Sequence, residues 1–192
     1  MLYTDYQASR DLAWEILIRE KITELPVSMV DLCRQLGVDV RRSSVRSAGY
    51  SMLIDDCPTI VVNGDDPTAR QRFTAAHELG HILLKHTDKY GVMYRDPSPK
   101  DDPKEQAANV FAARLLAPAI VLRDLKVTNA EQIEKLCDIS KPAAEYRMRR
   151  LQLLYDREQR FLAERGYSCF GLSPLEREVE KQFCKYIKSH AL

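Results

Sequence analysis

The chain has 192 residues, of which 45% are hydrophobic and 30% charged, and its formal net charge is +1. That length buries a core without cross-links, and the near-neutral balance gives no global attraction to nucleic acid or to a membrane surface. Cys33, Cys57, Cys137, Cys169 and Cys184 are odd in number, widely spaced and contain no CxxC pair, which argues against a disulfide framework or a cysteine zinc site and for free thiols in a reducing cytosol.

The opening MLYTDYQASRDLAWEILIRE interleaves acids with its apolar residues, so it cannot serve as a signal-peptide core, and no apolar run approaches a membrane span. The expected location is therefore cytoplasmic. Residues 4–22 read as a helix broken by Pro26, followed by a short helix in SMVDLCRQLG with Ser28 as cap and Gly37 as stop. VDVRR alternates as a strand does, and 49–54 and 59–63 read as two strands joined by a turn from Asp55 to Pro58. Asp66-Pro67 carries a helix-start signature, a capping carboxylate and then a proline at the first turn, and the helix is predicted to run to about residue 87. A loop rich in Pro, Asp and Gly follows to residue 101, and Asp102-Pro103 starts another helix that Pro118 closes. Helices are predicted again over 129–137, 140–165 and 174–190.

The stretch RQRFTAAHELGHILLKH carries the chemistry. At 100° per residue, His77 and His81 are about 400° apart on a helix and project from one face a turn apart, as two imidazoles must to chelate one ion. Glu78 is too close in sequence to join that chelate comfortably and is placed instead to act as a general base on water. Ala75, Ala76, Leu79, Gly80, Ile82, Leu83 and Leu84 make the helix mostly apolar, and buried bare imidazoles and a carboxylate are costly unless something pairs them. His86 lies about 900° from His77, which points it to the opposite side of a continuous helix. The third ligand must then come from elsewhere, and EQAANVFAARLLAP supplies Glu105, with Asn109 four residues on to hold an imidazole N–H from outside the ligand set. The competing reading of Glu105 is a capping box with Asp102, in which it caps its own helix.

The pair RFTAAHELGHILLKH and ExxANxFAxxLLxP resembles the ImmA/IrrE family of zinc metallopeptidases, over roughly residues 5–155. The resemblance implies an α+β, zincin-like catalytic domain, zinc on His77, His81 and Glu105 in the gluzincin manner, and Glu78 as the base. Family members are often encoded by mobile elements or stress-response systems, and several cleave helix-turn-helix repressors. The chain departs from the family at Ala107, where members often have a second glutamate, which leaves Glu105 as the candidate there, and at Ala117, where methionine or leucine is common. The expected activity is zinc-dependent endopeptidase cleavage of a regulatory protein, with such a repressor as the substrate. Tyr90, Tyr94 and Tyr146 are sources of an oxyanion donor among which the sequence does not choose. TIVVN offers a strand edge for an extended substrate by fold-level analogy.

The chain is expected to divide into a metallopeptidase domain, 1–125, and a helical C-terminal segment, 126–192. Within the latter, 128–154 has the outline of a helix-turn-helix: Thr128 and Glu131 fit a capping box, and Lys141, Arg147, Arg149 and Arg150 form a basic cluster. This supports an alternative, a DNA-binding or antitoxin-like regulator with a structural metal, although Glu145 and Asp156 break up the charge. Leu175, Val179, Phe183, Tyr186 and Ile187 recur at helical spacing in 174–190, and the stripe suits either packing on the chain's own core or recruitment of a partner.

Overall fold

A computed structural model describes residues 3–86, 102–165 and 173–190. The chain opens with α1 (Tyr3–Arg19) and α2 (Met29–Gln35), then β1 (Asp39–Ser43), β2 (Gly49–Ile54) and β3 (Cys57–Asn63). The helices α3 (Thr68–Leu83), α4 (Pro103–Leu116), α5 (Ala119–Asp124), α6 (Ala130–Cys137), α7 (Lys141–Arg165) and α8 (Pro174–His190) complete it. The architecture is α+β, a small sheet against a mostly helical body, as the sequence implies. Among the described residues no helix is long and apolar enough to cross a membrane.

The three strands stand in the order β1-β3-β2, with β3 parallel to β1 and antiparallel to β2. TIVVN therefore lies in the central strand, with neighbours on both sides, and is not an edge. Thr59, Ile60, Val61 and Val62 are all buried, the unalternated run expected of a strand covered on both faces. The turn between β2 and β3 is only Asp55-Asp56, both at positive φ (49° and 60°), which suits the twist of a two-residue hairpin. Pro58, expected in the turn, sits in β3 opposite Leu53.

Ser28 caps α2 by accepting from the Asp31 N–H. At α3 the start differs from expectation: Pro67 itself is the cap residue, without a side-chain bond. Gln71 instead reaches back to the Asp66 and Gly64 carbonyls, at 2.7 and 3.1 Å. Helix α5 was not expected, because Pro118 reads equally as the end of one helix and the start of another. The cap of α6 is Asn129 with Gln132, one residue later than the Thr128 and Glu131 pairing.

One apolar cluster runs from Ala13 and Trp14 on α1 through Leu79 and Phe111 to Val179 and Phe183 on α8. Helix α4 lies at its centre, packed on α1 and α3. The stripe on α8 is spent inside the chain, with Val179 and Phe183 fully buried. Gln182 donates to the Leu17 and Ile22 carbonyls at 2.7 and 2.6 Å, and Tyr186 donates to the Leu25 carbonyl at 3.2 Å. These bonds tie α8 to the last turn of α1 and to the segment that follows it.

Candidate metal centre

Helices α3 and α4 approach closely because small residues face each other. A Cβ built on Gly80 would stand 2.9 Å from Phe111 Cδ1 and 3.3 Å from Ala108 Cα, so glycine is what admits the neighbouring helix. The approach brings Glu105, at the first turn of α4, against His77 and His81 on α3. Its two oxygens lie 3.4 Å from His77 Nε2 and 3.2 Å from His81 Nε2, and the two Nε2 atoms are 2.9 Å apart. Asp102 caps α4 through the Lys104 N–H at 2.8 Å, while the oxygens of Glu105 are at the imidazoles.

The three groups form a triangle whose separations, one to each oxygen of Glu105 and one between the imidazoles, are close to the edge of a tetrahedral ligand set, about 3.3 Å for ligand bonds of 2.0–2.1 Å. The tautomers support the same reading. His77 Nδ1 is 2.9 Å from Asn109 Oδ1, an oxygen that only accepts, so Nδ1 carries the proton and Nε2 presents a lone pair. The buried His77 lone pair, converging with His81 Nε2 and a carboxylate, calls for a cation between them. The donor set of two nitrogens and one oxygen suits a zinc-like divalent ion, and one ligand atom from each of the three residues lies within 4.8 Å of the other two.

Glu78 stands beside this triangle rather than in it. It is buried, and Ser51 on β2 donates a hydrogen bond to its Oε2 at 3.0 Å. The edge strand β2 thus reaches the carboxylate directly.

His86 is the residue the helical-wheel argument missed. Helix α3 ends at Leu83 with Leu84 as its C-cap, and Lys85 takes a left-handed conformation at φ 56°. The Lys85 N–H donates to the Ile82 carbonyl and the His86 N–H to the His81 carbonyl, at 3.1 and 2.9 Å, the paired bonds of a Schellman motif. The turn sends His86 back over the helix, where its Nδ1 lies 3.1 Å from His81 Nδ1. Each candidate histidine ligand thus has a companion on its far nitrogen: Asn109 for His77 and His86 for His81. Burial, with Lys104 nearby, holds the His86 imidazole below its ordinary pKa.

Of the three tyrosines considered as oxyanion donors, Tyr90 and Tyr94 lie outside the described residues, and Tyr146 is an exposed side chain on α7. The basic cluster is smaller than the sequence suggests. Arg147 is buried and donates to the Ala117 carbonyl at 2.7 Å, so it ties α7 to the end of α4 and is not on the surface that a nucleic-acid backbone would touch. Arg72 on α3 donates to the Cys137 and Asp138 carbonyls, at 3.2 and 3.1 Å, and fastens the α6–α7 turn to the helix that carries His77 and His81.

A helix with two imidazoles and a flanking carboxylate, a third donor from the next helix and a small sheet alongside define a protein of the metallopeptidase class. The family model for the IrrE N-terminal-like domain, peptidase family M78, matches residues 33–156. The chain belongs to that family, and its function is of the metallopeptidase type. No curated protein matches the chain.

Proposed function

We propose that the protein is a zinc-dependent endopeptidase that cleaves a regulatory protein, with a helix-turn-helix transcriptional repressor as the substrate. The observation that supports it most directly is the triangle of His77, His81 and Glu105 with Glu78 buried at its side. In this reading His77, His81 and Glu105 hold the metal, which when bound lowers the pKa of a water to about 7 and polarises the scissile carbonyl. Glu78 takes the proton from the attacking water and returns it to the departing amine nitrogen. Ser51 holds the carboxylate by its hydroxyl, so the base meets the water in one orientation. Asn109 and His86 fix the rings by their Nδ1 atoms. An extended peptide has the outer edge of β2 beside the same carboxylate as a place to pair. The repressor as substrate rests on the resemblance to the ImmA/IrrE family alone.

Co-expression with the product of a neighbouring repressor gene tests the proposal. Cleavage that disappears in Glu78→Gln, with zinc content unchanged by elemental analysis, supports it. Stoichiometric zinc without cleavage of any candidate supports instead the regulator with a structural metal.

A further inference from the structure

A cavity of about 530 Å³ opens where α1, α3, α4 and α7 meet, with Asn109 in its wall. Its wall is mostly apolar, with Phe73, Val110, Leu116 and Ile139 among its side chains, yet Arg114, Arg147 and Arg150 also line it. Among the described residues no aspartate or glutamate does. Glu176 lines an adjoining cavity of about 260 Å³, where its carboxylate accepts from the Ser173 N–H at the start of α8.

The guanidiniums are incompletely satisfied. Arg147 is 3% exposed, and its Nη2 is buried without a hydrogen-bond partner among the described residues. Arg114 is 9% exposed; it bonds the Tyr6 hydroxyl through Nη2, while its Nε is buried without a partner among the described residues. Cationic nitrogens left so deep without acceptors are costly, and an apolar wall does nothing to offset them. The phenol of Tyr6 reports the same field. Burial alone would raise its pKa, but the charges and hydrogen bonds of Arg114 and Arg150 outweigh burial and hold it below the usual tyrosine value.

We infer that this cavity binds a small organic anion with an apolar body, an aryl or alkyl carboxylate or phosphate monoester, whose headgroup pairs with Arg114, Arg147 and Arg150. The size suits such a ligand, and guanidinium forks match planar carboxylate and phosphate oxygens. The wall of Phe73, Val110, Leu116 and Ile139 takes the apolar end. The inference does not depend on peptidase activity, because none of these side chains is assigned to the hydrolytic step.

The test is calorimetric titration of the full-length Glu78→Gln chain, which removes any turnover, with phenyl phosphate, inorganic phosphate, phenol and N-acetyl-glutamyl amide. Phenyl phosphate is expected to bind saturably with Kd on the order of 0.1 mM, and both inorganic phosphate and phenol at least about tenfold more weakly, since each lacks one half of the recognition. Arg147 also supports Ala117, so its removal risks the fold. Arg150→Gln, at an exposed position, should weaken phenyl phosphate roughly tenfold, and Ala113→Phe, which fills the cavity, should abolish binding, with unchanged circular dichroism in both. Absence of saturation up to about 10 mM, or binding indifferent to both substitutions, overturns the inference. Tighter binding of the glutamyl amide than of phenyl phosphate also overturns it, by making the site a pocket for an acidic substrate side chain.

Discussion

His86 Nδ1 lies 3.1 Å from His81 Nδ1, on the side of the ring away from Glu105 and His77. If His81 Nε2 is the metal ligand, its Nδ1 carries the proton and His86 accepts it. Removing an outer partner of a metal-bound histidine costs roughly 10–100-fold in metal affinity. His86→Ala is therefore expected to weaken zinc binding by that factor in a chelator competition, with the thermal midpoint of the metal-free chain nearly unchanged. His86→Asn, which keeps an acceptor, should recover part of the loss. Unaltered affinity in His86→Ala would leave the contact without a role.

The placement of His86 also marks where sequence reading stops. Counting 100° per residue holds only while the helix lasts, and nothing at Lys85 announces its end, since left-handed caps are usually glycine or asparagine. His77, Glu78 and His81 were legible because their geometry is internal to one helix. Glu105 was legible because Asp102-Pro103 dates the start of α4, which puts its carboxylate on the first turn. Arg147 was not: its burial depends on how α7 meets α4, a relation between segments thirty residues apart that no local pattern encodes. The central place of β3 is likewise a matter of strand pairing, since β1 pairs with it although β2 stands between them in the sequence.

Gly80 sets the distance between the two helices that carry the proposed ligands. In Gly80→Ala the new Cβ meets a ring carbon of Phe111 at 2.9 Å and the Ala108 backbone at 3.3 Å, so α4 must retreat or the Phe111 ring must shift. Overpacking of this kind costs about 1–3 kcal/mol, set against about 1 kcal/mol gained by replacing glycine within a helix. The net expectation is a small loss of thermal stability with a disproportionate loss of zinc affinity, because Glu105 moves with α4. Adding Phe111→Leu should restore affinity more than stability. Equal affinity in Gly80→Ala and the parent chain would show that the helix spacing is not critical.

Two thiols offer a pH test of the core. Burial pushes Cys33 and Cys137 up to about 12, Arg72 partly opposing it at Cys137, from an ordinary value of 9.0. The native thiols stay protonated where those of the unfolded chain ionise. Their contribution to stability is thus complete below about pH 9 and is lost as pH rises toward 12. In native protein at pH 8, alkylation followed by mass spectrometry should modify the exposed Cys57 and Cys184 while sparing Cys33 and Cys137. Replacing both buried cysteines with alanine should flatten the decline in stability above pH 9. Rapid alkylation of Cys33 at pH 8 would contradict its burial.

Ser51 joins the sheet to the proposed base, and its substitution separates orientation from binding. Its hydroxyl donates to Glu78 Oε2 at 3.0 Å in a buried setting, and a hydrogen bond to a charged group contributes about 1.5–3 kcal/mol. Without it the carboxylate has a wider range of orientations, and the cost falls on the step in which it moves a proton rather than on substrate capture. Ser51→Ala is expected to lower kcat by roughly 10–100-fold, with KM and zinc content close to those of the parent. Ser51→Thr keeps the hydroxyl and should restore most of the rate, whereas a role in packing alone would be met as well by alanine as by threonine. A change in KM with kcat preserved would move Ser51 from the base to the peptide-binding edge of β2.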